Sequence, residues 1–449
     1  MNVADVDDIT ARLNLHGGTR VDSPEEADLV LVNTCTVRQK AEDKAMSFFG
    51  NLKHVGVPAP VGAAAGTQLA VSHSPVSFTT DAVSGIPATG KKPFIVAMGC
   101  VVPKARGFIA EKFPHVDLLV NYSDPDIVLA ELIDRFPPLA GRAIEDSFPP
   151  MMHSDRALPS FITAIRGCNH RCSFCVVPWS RGPQRDVPLE TVVAQALEYQ
   201  KAGAPDITVL GQSIMAYGKA SGPEHPDFTD LMTALLRETE FRWITYLTSL
   251  ACDMTDRVCE QVIANPRITP LLHLPVQSGS DKVLEEMRRQ YDTDQYRRMV
   301  AKARSERPDL YLTTDLLVGF PTETDEDFEQ TLQLVEEIGF DDAFMFAYSP
   351  RPGTHSVRTF PDRLNREQKI ARLSKLITMQ RAQSAERSKR YIGQELEVII
   401  EQRNGEGTVA RTAFNKPVHL AGSRAPIGQF ARVKVTGVRV SAFVGEEVT

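Results

Sequence analysis

The stretch Ile165-Arg166-Gly167-Cys168-Asn169-His170-Arg171-Cys172-Ser173-Phe174-Cys175-Val176-Val177-Pro178 constrains this chain more than any other, because it sets three cysteines in C-x3-C-x2-C spacing. An apolar run, Phe161 to Ile165, precedes them and has the composition of a strand, which puts the thiols on the loop leaving its C-terminal end. Three soft thiolates so close together suit zinc or an iron–sulfur cluster. Zinc would need a fourth protein ligand, for which His170 is the only close candidate, and structural zinc sites usually pair two C-x2-C units. No second pair lies nearby. Three cysteines on a four-iron cube would leave one iron open to bind and reduce a small molecule.

The bulk numbers bound the setting. A chain of 449 residues has room for two to four domains, and 42% hydrophobic with 24% charged residues is ordinary for a soluble globular protein. No apolar stretch of membrane-spanning length occurs, and Met1-Asn2-Val3-Ala4-Asp5 has no signal-peptide character, so a cytoplasmic protein without membrane attachment is expected. Seven cysteines, three of them clustered, argue for reduced thiols holding metal and against a secreted disulfide framework. A net charge of −7 neither favours nor excludes nucleic acid, since phosphate contact depends on local patches.

In chain order, a helical opening leads to a short buried strand, Ala27 to Thr34, with Cys35 on the loop beyond it. A second run, Pro93 to Met98, ends the same way in Gly99-Cys100. Ligands in open α/β sheets collect at the C-terminal ends of strands, although a free cysteine is as often a buried core residue. Between the two, residues 56–90 are rich in Pro, Gly, Ala, Ser and Val, as an inserted loop would be, and Ser147 to Pro159 has the composition of a linker. From Phe161 to Ser356, six apolar runs alternate with amphipathic helical stretches, the pattern of parallel βα units closing into a full or partial barrel. Small polar residues and glycines follow five of the runs: Gly211-Gln212-Ser213, Thr248-Ser249, Gln277-Ser278-Gly279-Ser280, Gly319-Phe320-Pro321, and Ser349-Pro350-Arg351. Caps and turns favour such residues anywhere, but five in a row beside a metal loop mark the rim where barrels of this kind work.

Pro361 to Tyr391 is a strongly charged helix, a solvated connector or an RNA-contacting face. Ile392 to Thr449 switches to period-two alternation, as in a small antiparallel β-barrel. Seven Lys and Arg against six Asp and Glu give this segment +1, and the basic residues are expected on its outer face, where they would hold single-stranded or looped RNA.

Taken together these residues resemble the methylthiotransferases among the radical S-adenosylmethionine (SAM) enzymes. Asn33-Thr34-Cys35-Thr36-Val37-Arg38, Met98-Gly99-Cys100, Arg166 through Pro178, Thr314 through Pro321 and Tyr348 through Thr354 are similar to the family's motifs. Leu272 through Asp281 is close to a signature of the MiaB branch, which modifies tRNA. The resemblance implies an α/β fold in three parts. These are an N-terminal domain at 1–145, a partial (βα)6 radical SAM barrel with its connecting helix at 154–385, and an RNA-binding barrel of the TRAM type at 388–449. It further implies a [4Fe-4S] cluster on Cys168, Cys172 and Cys175 that binds SAM and generates a 5′-deoxyadenosyl radical. Gly211, Gln212, Ser249, Gln277 and Ser278 are the candidates to hold SAM. Cys35 and Cys100 fall on ligand positions of an auxiliary [4Fe-4S] cluster, whose first cysteine would precede Met1, so that cluster is incomplete in the chain as it stands and an upstream start is expected.

The sequence also departs from the family pattern. Ser213 and Met215, Leu250-Ala251, and Gln184 replace its usual asparagines, His-Pro and glutamate. The implied reaction adds a methylthio group to C2 of N6-isopentenyl(dimethylallyl)adenosine at position 37 of tRNA, in a cytoplasmic monomer fed by a flavodoxin- or ferredoxin-like electron donor, with the sulfur donor unassigned. Alternatives are the threonylcarbamoyladenosine and ribosomal-protein methylthiotransferases, or a non-catalytic RNA-binding scaffold. Cys252 and Cys259 have no assignable role.

Overall fold

The computed structural model describes residues 2–15, 19–21, 24–34, 39–53, 76–79, 92–121, 124–136, 152–153, 156–157, 160–222, 224–404, 407–439 and 442–448. The chain divides into two compact units, Met1–Pro149 with Val176–Pro183, and Pro150–Cys175 with Gln184–Thr449.

The first unit contains α1 (Asn2–Leu15), β1 (Thr19–Val21), β2 (Leu29–Thr34), α2 (Gln39–Leu52), β3 (Val76–Thr79), β4 (Phe94–Gly99), α3 (Val102–Lys112), β5 (Leu118–Val120) and α4 (Pro125–Arg135). The sheet order is β1-β3-β2-β4-β5, with β2, β4 and β5 parallel. Uninterrupted apolar runs suit strands buried on both faces, and alternate residues go to opposite layers. Leu29, Leu31, Val96 and Met98 pack with Ile9, Leu13 and Val128 on one side, while Val30, Val32, Ile95 and Ala97 pack with Phe49, Leu52 and Ile109 on the other. The expected insertion at 56–90 lies outside the described residues except for β3, which pairs antiparallel with β1 and β2. That stretch, Val-Ser-Phe-Thr, does alternate, but the small polar residues around it hid so short a strand.

In the second unit, β6 (Met152–His153) and β7 (Arg156–Ala157) form a hairpin inside the expected linker. Next come β8 (Ser160–Thr163), β9 (Ile165–Arg166) and β10 (Arg185–Asp186), the last two bracketing the cysteine loop as an antiparallel pair. The barrel strands that follow are β11 (Asp206–Leu210), β12 (Trp243–Leu247), β13 (Leu271–His273), β14 (Tyr311–Val318) and β15 (Asp342–Ala347). β8, β11 and β12 pair in parallel, as do β13, β14 and β15. Backbone bonds from Ile244 to Arg267 and Thr269 join the two halves into one open arc of six strands in sequence order. Helices α5 (Leu189–Lys201), α6 (Phe228–Glu238), α7 (Asp281–Glu286), α8 (Thr293–Glu306) and α9 (Asp325–Ile338) alternate with the strands. Caps start them: Asp227, Ser280, Asp292 and Thr324 each accept a backbone amide of the first turn.

The charged helix α10 (Arg366–Ser388) is not merely a solvated connector. One stripe, with Lys369, Arg372, Leu376, Gln380 and Ser384, is buried, and Arg372 donates at 2.6 Å to the buried Glu323. Charged residues at helical spacing concealed a packed face because the charges themselves are paired inside.

The C-terminal barrel comprises β16 (Glu395–Asn404), β17 (Gly407–Thr412), β18 (Pro417–Leu420), β19 (Phe430–Val438) and β20 (Phe443–Glu447). β16 pairs with both β17 and β19, which closes the ring; one pair, β18 with β20, is parallel, and β7 adds to β16 outside it. Its core continues into the barrel arc: Phe414 stacks on Tyr311 at 4.6 Å, and Tyr391 and Leu271 belong to the same cluster. Not every basic residue faces out. Arg411 is buried, donating to Asp206 at 2.9 Å and Glu401 at 2.6 Å, and Lys416 is buried as well. Asp206 opens β11, so Arg411 locks the two barrels together. Removing one partner of a buried pair strands the other charge. Arg411→Ala should therefore cost about 3 kcal/mol of stability, measured by urea denaturation through the fluorescence of Trp243, which packs edge-on against Phe430, in a Trp179→Phe background.

Candidate metal and cofactor site

The cysteine loop is held by its backbone and by two buried charges. Gly167 enters it at φ +72°, and the Cys175 amide donates to the Cys172 carbonyl at 3.1 Å. Ser173 is bonded on both sides, its amide to Met287 and its carbonyl to the amide of Ser356, so the loop is tied to the segments after β13 and β15. Phe174 packs with Met287, Leu317, Phe320 and Tyr348. Cys168, Cys172 and Cys175 are thiols outside any disulfide, all half-buried.

Arg289 is the first charge. Its Nη1 donates to Cys172 Sγ at 3.3 Å, Nη2 to the Pro275 carbonyl at 2.8 Å and Nε to the Tyr291 hydroxyl at 2.8 Å. Burial opposes the charge, yet Tyr291 and Cys172 together raise the guanidinium pKa. None of these partners is a carboxylate. Asp253 is the second charge. Buried on the segment after β12, it accepts from Ser213 at 2.7 Å and Lys219 at 2.8 Å, and meets His170 Nε2 at 2.8 Å. Burial would raise its pKa, but these partners overcome that and hold it at about 2. His170, the one nearby candidate for a zinc ligand, thus spends Nε2 on an ion-paired carboxylate. Cys252 lies in the same cluster, the ligand atoms of His170, Cys252 and Asp253 being within 4.8 Å of one another. Cys259 is buried in a π-helical turn and serves packing.

Burial pushes the Cys168 thiol up to about 11 and Cys252 to about 12. Cys168 therefore ligates as thiolate only where a bound cation supplies the compensating charge. Three unbridged thiols facing a buried guanidinium without a carboxylate fit a net-negative iron–sulfur cluster better than a neutral core.

The rim residues divide. The buried Ser249 hydroxyl finds no hydrogen-bond partner among the described residues, a donor available to a bound group. Thr248, at φ +71°, and Gln277, at φ +76°, are non-glycine residues in the left-handed region just beyond β12 and β13. Strained backbone of this kind persists where function over-determines it. Gln277 bonds by its backbone to Asp315 and Leu317. Gly211 is tightly packed, since a Cβ would lie 3.1 Å from Ile165 Cβ and from Ile214 Cα and would press both aside; its neighbour Gln212 is half-buried. Ser278 is engaged elsewhere, its hydroxyl meeting Thr331 at 3.3 Å and accepting the Ser280 amide. Asp253 and Arg289 carry the site yet escaped sequence reasoning, because a lone Asp or Arg after a strand or helix has no local signature.

In the first unit, β2 and β4 end side by side, Thr34 opposite Gly99. Thr34 Oγ1 donates to the Met98 carbonyl at 2.7 Å and accepts the Val101 amide, which fixes the turn bearing Cys100. Cys35 lies outside the described residues. Arg181 pairs with the buried Asp5 at 3.2 Å and also bonds Cys100, the two holding its charge against burial. Gly99 adopts φ +97°, and a Cβ there would stand 2.6 Å from the Thr34 carbonyl oxygen. Gly99→Ala should thus destabilise this turn by about 3 kcal/mol, seen as faster amide hydrogen exchange in peptides covering Leu29–Thr34.

Residues 162–335 match the radical SAM superfamily, 1–67 the uncharacterized protein family UPF0004, and 389–440 the TRAM domain. A protein of Thermus thermophilus called tRNA-2-methylthio-N(6)-dimethylallyladenosine synthase is 35% identical over 100% of this chain and 90% of its own length. One of the same name from Pseudothermotoga lettingae is 32% identical over 99% and 96%. Among solved structures, a cobalamin-dependent SAM radical enzyme, OxsB, aligns with a TM-score of 0.47 at 12% identity over 79% of this chain and 48% of its own. The domains and the cysteine loop define a radical SAM enzyme. Within that superfamily, the chain belongs to the family of MiaB-type tRNA methylthiotransferases.

Proposed function

We propose that this protein is a transferase that adds a methylthio group to C2 of N6-dimethylallyladenosine, beside the anticodon at position 37 of tRNA. The observation that carries the reading is a trio of unbridged thiols, with Arg289 bonded to Cys172 among them, in a chain similar over its whole length to synthases of that name. Cys168, Cys172 and Cys175 would hold a [4Fe-4S] cluster and the segments after β11 to β13 would hold SAM, the pair supplying a carbon-centred radical able to take hydrogen from an unactivated C–H bond. The protein's own part is to place and shield. Arg289 balances the thiolates, Asp253 fixes His170 within the cysteine loop, and the buried Ser249 hydroxyl and the backbone after β13 are offered to the bound nucleoside.

Cys100, with Cys35, would hold the auxiliary cluster, and Arg181 would balance its charge as Arg289 does for the first. A flavodoxin- or ferredoxin-like donor would feed a cytoplasmic monomer. No helix among the described residues is long and apolar enough to cross a membrane. Arg403, Arg424, Arg432, Lys434 and Arg439 are on the C-terminal barrel, away from its core, and would meet the RNA backbone.

Mass spectrometry of tRNA nucleosides from a deletion strain tests the reading. Loss of 2-methylthio-N6-dimethylallyladenosine, restored by the intact gene, is expected, whereas its persistence would overturn the assignment. Cys172→Ala should abolish 5′-deoxyadenosine formation in reconstituted protein and lower its iron content. Replacing Arg432, Lys434 and Arg439 together by Gln should weaken tRNA binding and flatten the slope of log Kd against log salt by roughly 0.7 for every phosphate that these side chains no longer neutralise.

A further inference from the structure

Strand parity sorts the barrel residues into a covered and an open face. On β14, Leu312, Thr314, Leu316 and Val318 are fully buried, as expected beneath the helices. The alternate residue Asp315 points the other way, into the barrel, and Phe344 stands opposite it on β15. Phe344 is 52% exposed, an unusual state for an aromatic in the middle of a barrel strand. Its ring meets the edge of His273 at 5.9 Å, and His273 in turn bonds Thr313 at 2.9 Å and faces Asp315 at 3.6 Å. Phe346, one pleat nearer the strand's C-terminal end, packs against the cluster of Leu317, Phe320 and Tyr348 that Phe174 of the cysteine loop also joins. Toward the strands' N-terminal ends, Tyr311 stacks on Phe414. An open aromatic surface therefore lies between the cluster at the metal loop and that stack.

The charges on this face are all of one sign. By strand register, the inward positions of the six strands carry Asp206, Asp315 and Asp342 but no Lys or Arg. Asp206 is neutralised by Arg411, and Asp342 is faced by Lys416 at 3.8 Å. Burial lowers the His273 pKa and keeps that ring neutral near pH 7. A carboxylate brought against this wall would find no lysine or arginine on the strands themselves.

We propose that Phe344, with Phe346 behind it, is the wall that receives the hydrocarbon substituent on N6 of the substrate adenine, and so is a specificity-determining residue. The inference rests on the reading above and names the group by which that site selects its nucleoside. A branched five-carbon chain gains contact area on Phe344, while a threonylcarbamoyl group brings a polar, carboxylate-bearing chain that an aromatic wall does not answer.

The test uses reconstituted holoenzyme with SAM and no reductant, so that binding is measured without turnover. Fluorescence anisotropy gives Kd for anticodon stem-loops bearing adenosine, N6-dimethylallyladenosine or N6-threonylcarbamoyladenosine at one position. Wild type should favour the dimethylallyl RNA over the unmodified RNA by about tenfold or more, and Phe344→Ala should erase most of that preference while binding unmodified RNA as before. Phe344→Leu, which keeps a hydrocarbon surface, should retain it. A Phe344→Ala preference equal to wild type overturns the inference, as does an equal loss for all three RNAs. Wild type showing no preference for the dimethylallyl RNA sinks the substrate reading itself, which separates the two failures.

Discussion

A guanidinium buried without a carboxylate is the constraint on which the cysteine loop depends. Removing an Arg from water costs several kcal/mol unless its donors and its charge are both answered. Arg289 satisfies its donors with the Tyr291 hydroxyl, the Pro275 carbonyl and Cys172, none of them a carboxylate. The protein alone thus leaves a positive charge waiting, and burial keeps the Cys168 thiol protonated until a cation arrives. Both deficits vanish together when three thiolates and iron form one net-negative group. A structural zinc with a neutral fourth ligand would answer the thiols, but His170, the residue that would complete it, is turned to Asp253.

The same device recurs where the sequence hinted at a second site. Arg181 bonds Cys100 and reaches the buried Asp5, so one cysteine in each unit has a buried guanidinium as its neighbour. Here a carboxylate shares the charge, which leaves a weaker demand for an anion than Arg289 makes. The turn bearing Cys100 is fixed regardless, because Gly99 and the Thr34 hydroxyl set its path through backbone bonds alone.

What was legible in the sequence was whatever is local. The cysteine spacing, the apolar runs of the strands and the glycines after them are patterns within ten residues, and the six barrel strands fall where those runs predict. What was illegible is whatever joins distant segments. Arg289 meets Cys172 across 117 positions and Asp253 meets His170 across 83, and no spacing announces either pair. Burial of Arg411 and Lys416 was hidden for the same reason, since alternation along β17 says which face a residue takes but not that Asp206 covers that face. Ser278 is a further case: it stands in a polar run after a strand, and its hydroxyl meets Thr331 on a helix 53 positions on, a contact no spacing announces. The stretch holding β3 and the hairpin of β6 and β7 had loop composition, yet strands so short need only partner strands and no apolar run of their own.

Charge separates two tasks within one barrel. At the mouth, Arg289 favours an anionic group; deeper in, the uncovered ring of Phe344, on strands without lysine or arginine, favours an apolar one. These preferences are opposite, so a cofactor with a carboxylate and a base with a hydrocarbon tail would each lose energy by exchanging places. The stack of Tyr311 on Phe414 carries the core of the C-terminal barrel into the strand arc, and Arg411 joins the same two parts through Asp206, so the small barrel is a structural part of the larger one.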